Sequence, residues 1–337
     1  MNVFRIAAIG SAFLLAASCR RSGYMDEHMA HMAAGDMHAP AALPSSSVPQ
    51  QGNLNLPPSN NGAAARLAAS PRHAEWVTLA WEPGSSDSLM AYIVYPVTAN
   101  AKTPVVVVVH EIFGLSTWVR GVADQVAADG FIAIAPDLNS RVRGGPSTTE
   151  LSGDSARKLI SGVAAPERNR GIVAVALYAM SLPSAAQKYA VIGYCWGGTT
   201  VFLHSIHGGT AGYSGGVAFY GGFQYMSGTP AVPVADSMAK IKVPVMLLNG
   251  SRDARIGAAM PAIDAMMKAM QKDYSATNYE GAIHGFLRAQ DDSAFVRDST
   301  APGGRRRDTA AEQANLVATK DGWPKTLAFL RKNLGVK

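Results

Sequence analysis

Ala190-Val191-Ile192-Gly193-Tyr194-Cys195-Trp196-Gly197-Gly198 is an apolar run that closes in Gly-x-Cys-x-Gly, and a helix-forming segment, Thr199 to His207, follows it. This is the pattern of a nucleophile elbow, with cysteine at the position serine usually holds. The spacing follows from the geometry of a sharp strand-to-helix turn. Gly193 and Gly197 lack a Cβ, so the chain can pass close to itself on either side of the nucleophile. The turn lifts the side chain to the carboxyl end of a sheet and sets sulfur at the positive end of a helix, which favours thiolate. A cysteine in an apolar strand is by itself no more than a small hydrophobe. Its neighbours along the chain decide which reading applies.

Upstream, Pro104 to Val109 is a continuous β-branched run, as expected of a strand buried on both faces of a parallel sheet. It ends in His110-Glu111-Ile112-Phe113-Gly114. Before it, Glu75 to Ala80 and Leu89 to Pro96 read as a hairpin across the turn-rich Glu82 to Asp87. After it come a helix from Trp118 to Asp129 stopped by Gly130, a strand from Phe131 to Ala135 closed by Pro136-Asp137, and a polar excursion over residues 138 to 165. That excursion holds a short helix near Ser155 to Ser161. Pro166 to Met180 reads as a long helix with proline at its start. Beyond the elbow, strands are expected at Gly215 to Tyr220, Val243 to Asn249 and Ala276 to Tyr279. Helices are expected at Ala258 to Met270 and Gly322 to Asn333. Strands alternating with helices give a doubly wound, mostly parallel α/β sheet flanked by helices. A Gly-x-Gly-x-x-Gly after the first strand and a Walker-type loop are both missing, so nucleotide binding has no support.

The ends of those strands carry the chemistry. Asp253 follows Val243–Asn249 in the turn Gly250-Ser251-Arg252-Asp253, and His284 follows the last strand in His284-Gly285-Phe286. Cysteine, aspartate, histidine is the nucleophile, acid, base order of an α/β-hydrolase. Of the other histidines, His28, His31, His38 and His73 precede the first strand. His204 and His207 sit on the helix after the elbow, where they pack or face solvent. His110 closes a buried strand and could lie near the site.

With these pieces in place, residues 71–337 resemble the dienelactone hydrolase (carboxymethylenebutenolidase-like) family. The resemblance rests on the His110 to Gly114 motif, Pro136-Asp137-Leu138, the Gly193 to Gly198 elbow, Gly250 to Asp253, and His284 to Phe286 with Arg288. It implies an α/β-hydrolase fold and a hydrolase of small esters or lactones that needs no cofactor and no metal. Cys195 would attack the carbonyl, and His284 and Asp253 would complete the triad. Glu111 would take the thiol proton when substrate arrives, unless it is held in a salt bridge, for which Arg288 is the candidate partner. The backbone N–H groups of Ile112 and Trp196 would form the oxyanion hole, and Arg288 would hold a substrate carboxylate. The family's second arginine comes from the excursion after the fourth strand, where Arg141, Arg143 and Arg157 are all candidates.

The 337 residues are 48% apolar and 16% charged, which suits a globular core. The net charge of +6 gathers only at Arg305-Arg306-Arg307, so nucleic acid is not an expected partner. A small-molecule substrate and a monomer are expected. Two cysteines, Cys19 and Cys195, make no disulfide framework. Arg5 and the apolar Ile6 to Ala17 form an export signal, residues 1–18. Leu14-Leu15-Ala16-Ala17-Ser18-Cys19 resembles a bacterial lipobox, so that a lipidated Cys19 would begin the mature chain and attach it to a membrane at the cell envelope or in the periplasm. Cleavage after Ser18 without lipid is the rival. Residues 19–70, rich in Ala, Ser, Pro, Asn, Gly and Met, read as a disordered tether reaching about 40 Å. Within it, Met25 to Met32 and Met37-His38 have the ligand chemistry of a copper tract. From a different function class, the chain could thus be an envelope metal-binding or stress protein with a non-catalytic hydrolase domain.

Overall fold

The computed structural model describes residues 53–82, 84–98, 102–147, 151–229, 231–288 and 307–336. The export signal, Cys19 and the His/Met tract lie outside the described residues. Eight strands form one sheet: β1 (Ala74–Ala80), β2 (Ser88–Val94), β3 (Thr103–Val109), β4 (Ile132–Asp137), β5 (Ala185–Tyr194), β6 (Tyr213–Phe219), β7 (Val245–Gly250) and β8 (Tyr274–Tyr279). Their spatial order is β1-β2-β4-β3-β5-β6-β7-β8. The β1–β2 and β2–β4 pairs are antiparallel, and every other pair is parallel.

The order explains where the chemistry collects. From β4 to β8 all strands point the same way, so the loops after β3, β5, β7 and β8 emerge on one edge. The middle of the sheet is apolar because helices cover both faces. Val105 to Val109 are all fully buried, and so are Tyr189 to Ile192 of β5. Each such valine contributes roughly 1.5–3 kcal/mol of burial.

Six helices pack around the sheet: α1 (Ala63–Ala68), α2 (Thr117–Ala128), α3 (Ala165–Ser181), α4 (Trp196–His207), α5 (Ala254–Ala269) and α6 (Thr309–Leu334). Further helices at Ser140–Arg143, Gly153–Ile160 and Ala235–Ala239 and a two-stranded ribbon, Met226–Ser227 with Val232–Pro233, fill the connections.

Two elements differ from the sequence-based expectation. Helix α6 starts at Thr309 rather than near Gly322, capped by Asp308, whose carboxylate accepts the Ala311 N–H at 3.0 Å. Pro324 sits inside this 26-residue helix rather than in its first turn, where its missing N–H would be harmless. Residues 53–70, expected in the tether, pack on the domain. Leu56 and Ala63 are buried, and α1 lies against α2. An alanine-rich, short segment has little helical drive of its own; tertiary contact supplies the order.

Candidate active site

Cys195 stands between β5 and α4 with φ 56° and ψ −116°, a left-handed conformation for a residue with a side chain. Such backbone costs on the order of 1–3 kcal/mol and persists only where neighbours enforce it. Here the Cys195 N–H donates to the Phe219 carbonyl at 3.0 Å, tying the turn to β6. The flanking glycines are required sterically. A Cβ on Gly193 would stand 2.2 Å from the Gly197 carbonyl oxygen, and one on Gly197 would stand 2.4 Å from that of Val109. Trp196 is the first residue of α4, so its N–H has no partner within the helix.

His284 meets Asp253 directly. Its Nδ1 lies 2.5 Å from Asp253 Oδ2, which makes Nδ1–H the donor. Asp253 also caps α5 by accepting the Ile256 N–H at 3.4 Å, so one carboxylate orients both the imidazole and the helix. The loop carrying His284 is fastened just before the histidine by two elements. Arg252 N–H donates to the Ala282 carbonyl at 3.0 Å, and Ile283 N–H donates to Asn315 Oδ1 on α6 at 2.9 Å. His284 Nε2 is buried, and the group it meets is the Cys195 thiol. Burial works to lower the His284 pKa, but with Cys195 as thiolate the charges of Cys195 and Asp253, and the hydrogen bonds to both, outweigh it and push it up to about 10. Asp253 moves the other way: burial would raise it, yet His284 holds it below the usual carboxylate range.

Glu111, 1% exposed, forms an ion pair with Arg288 Nη2. The Arg288 guanidinium also lies 4.9 Å above the Trp118 ring and 5.9 Å from that of Phe113. Burial lowers its pKa to about 10, so it stays cationic at neutral pH. Ile112 is fully buried between Glu111 and Phe113, and its N–H donates to no other described group.

His110 serves structure. Its Nδ1–H donates to the Glu111 carbonyl at 2.6 Å, and its Nε2 accepts the Leu138 N–H at 3.0 Å. Burial depresses its pKa to about 4, with Asp137 partly offsetting, so the ring is neutral. His110 thereby joins the His110–Gly114 and Pro136–Leu138 motifs, and its ring stacks on Trp196 at 5.5 Å. His204 is buried between Asn169 and Tyr189 and His207 is exposed, as expected of both.

Arg141 pairs with Glu167 and Arg157 with Asp154. An arginine beside the elbow is one the sequence reading missed. Arg168, on α3 and 2% exposed, lies 5.0 Å over the Trp196 ring, and its Nε and Nη1 have no partner among the described residues. Tyr220 was missed as well. It follows β6 with φ 39°, and its ring sits 4.9 Å from that of His284. Burial, with Tyr194 and Cys195 adding to it, keeps this phenol neutral. Only the end of a predicted strand hinted at Tyr220, and nothing local marked Arg168.

Residues 89–334 match the family model described as "Dienelactone hydrolase family". The chain belongs to the dienelactone hydrolase family. A Bradyrhizobium relative named "Probable 2-oxo-3-(5-oxofuran-2-ylidene)propanoate lactonase" is 27% identical over 77% of this chain and 94% of its own length. A Salmonella typhimurium relative named "Putative carboxymethylenebutenolidase" is 28% identical over 76% of this chain and 87% of its own. Among solved structures, a protein from Klebsiella pneumoniae titled "Putative Dienelactone Hydrolase" aligns with TM-score 0.60 and 24% identity, over 77% of this chain and 99% of its own. That likeness shows the fold. This dienelactone hydrolase family member is therefore an α/β-hydrolase-fold protein and a hydrolase by family.

Proposed function

We propose that this hydrolase cleaves small carboxylic esters or lactones through a thioester on Cys195. The observation that carries the reading is the His284 imidazole, fixed by Asp253 through Nδ1 at 2.5 Å while its other nitrogen meets the elbow cysteine. Cys195 Sγ attacks the ester carbonyl carbon, and the oxyanion accepts the Ile112 and Trp196 N–H groups. Each donor of this kind contributes about 10²–10³-fold. Imidazolium His284 then protonates the departing alkoxide. Water attacks the acyl-thioenzyme, giving its proton to His284 Nε2, and thiolate leaves with the acid released. Asp253 holds the tautomer throughout.

The Glu111–Arg288 pair supports a substrate-gated step, because a carboxylate on the substrate fits the same guanidinium fork. Before substrate binds, Cys195 is a thiol beside neutral His284, and Glu111, once displaced from Arg288, takes the thiol proton and hands it to His284, giving the thiolate–imidazolium pair that begins the cycle. The test is hydrolysis of a lactone and aryl-ester panel with trapping of the acyl-enzyme by mass spectrometry. Loss of at least about 10³-fold in Cys195→Ala is expected, and unchanged turnover there would refute the thiol mechanism.

The apolar run and the lipobox resemblance of residues 1–19 support a location at the cell envelope, with Cys19 lipidated. Incorporation of labelled fatty acid into the full chain, absent in Cys19→Ala, is the expected result. Free, unlabelled periplasmic protein would instead favour cleavage alone.

A further inference from the structure

Residues 53–72 precede the residues that match the family, yet they are fastened to one face of α2. Arg66, 8% exposed, donates to the Leu56 carbonyl at 2.6 Å and to Gln125 Oε1 at 2.5 Å. Trp118 Nε1–H donates to the Pro58 carbonyl at 2.9 Å. Pro58 packs so closely that a Cβ on Gly121 would stand 2.7 Å from it. At the far end, Ser70 donates to Asp124 Oδ1 at 2.5 Å, and Arg72 grips both oxygens of Asp124, at 2.9 and 2.6 Å.

The middle of this strap enters the site. Asn60 Oδ1 accepts from Arg288 Nη1 at 3.2 Å, and the Asn60 N–H donates to the Arg288 carbonyl at 3.3 Å. Arg288 Nη2 faces Glu111, and its guanidinium plane rests on Trp118, the residue that also anchors the strap. A guanidinium offers a carboxylate its Nε/Nη2 edge or its Nη1/Nη2 edge. Asn60 occupies Nη1, so the remaining edge is the one turned to Glu111. Because Asn60 is a neutral acceptor, it does this without cancelling the positive charge.

We propose that Asn53–Arg72 is a part of the active site and that Asn60 is a positioning residue, holding Arg288 so that one guanidinium edge passes between Glu111 and the carboxylate of an anionic ester. The proposal rests on the reading of Arg288 as the carboxylate-binding group. It predicts that anionic reagents, and not neutral ones, sense a change at residue 60.

Alkylation of Cys195 by iodoacetate and by iodoacetamide tests this without a known substrate. The two reagents share a mechanism and differ by a carboxylate against an amide. The rate of each is followed in full-length protein by mass spectrometry of the Cys195 peptide, which separates it from Cys19. Asn60→Asp, isosteric with the native residue, places a second carboxylate on Arg288. It is expected to lower the iodoacetate-to-iodoacetamide rate ratio by about 3–10-fold. Asn60→Ala frees the fork and is expected to lower the ratio by about 2–4-fold. Arg288→Met is the control and lowers the ratio most.

Equal slowing of both reagents in the Asn60 variants, or an unchanged ratio, overturns the proposal, since packing damage alone does not discriminate by charge. A ratio insensitive to Arg288→Met overturns the underlying reading of Arg288 instead. A Cys195 that reacts with neither reagent overturns both.

Discussion

At the residue scale, Cys195 and Arg168 are both held at a cost, for different reasons. The cysteine's left-handed backbone is enforced by Phe219 and by glycines that admit no Cβ. Gly197→Ala would drive a methyl against the carbonyl oxygens of Val109 and His110, at 2.4 and 2.5 Å. Both are backbone atoms in the packed sheet edge, so the variant is expected to lose about 4 kcal/mol or more in denaturant titration, or to fail to fold. Arg168 is buried over Trp196 with two nitrogens unpartnered among the described residues. Arg168→Met keeps the contact over the ring and removes a desolvated charge, so the stability of the fold is expected to rise by about 1–3 kcal/mol. A fall in the denaturation midpoint would show that the cation–π contact outweighs desolvation. The elbow was legible because a strained turn demands glycines at set spacing. Arg168 was not, because burial belongs to the packed helix and not to the local sequence.

At the scale of elements, helix α6 does more than close the chain. Its first half supplies Asn315, which accepts the Ile283 N–H, and Thr319, which donates to the Phe286 carbonyl at 2.9 Å. Those bonds bracket His284. Asn315→Ala strands a buried N–H, at a cost of about 1–3 kcal/mol. It is expected to lower kcat more than it raises KM, because the base is displaced while the substrate groove is left alone. Steady-state kinetics on any ester the enzyme turns over decides this, and a pure KM effect would place Asn315 on the binding side. The sequence reading begins this helix near Gly322, well after its start at Thr309. Strands fared better: β3, β5 and β7 sit within a few residues of the apolar runs that announce them, because burial on both faces leaves an unbroken run.

At the scale of the whole molecule, pH acts through buried histidines of opposite sense. His110 and His204 are held neutral chiefly by burial, their pKa values depressed to about 4 and about 3. Below pH 6.5 the unfolded chain gains protons at these two sites that the folded one refuses. Stability therefore falls as pH drops, by about 1.4 kcal/mol per unit for each ring until its folded pKa is reached. His284 is raised to about 10, so its contribution is full below pH 6.5 and is lost as pH climbs toward 10. A stability maximum near pH 6.5–7 is expected from denaturant titrations at pH 5, 7 and 9. Cys195→Ala, which removes the first of the two charges that raise His284, should flatten the alkaline arm. A stability that keeps rising to pH 9 in the wild type would contradict the assignment of charge at His284.

The sequence by itself determined the sheet, the elbow and the order of Cys195, Asp253 and His284, since strand burial, glycine sterics and loop placement are properties of contiguous residues. It also marked Glu111 and Arg288 as partners, through a motif at the end of β3 and another after β8. Only the tertiary structure decided that the supposed tether ends in a strap, that Asn60 meets Arg288 across 228 positions, and that Arg168 lies over Trp196 and Tyr220 against His284. These are contacts between segments that the chain brings together only after the sheet has formed, and no local spacing encodes where a returning segment lands.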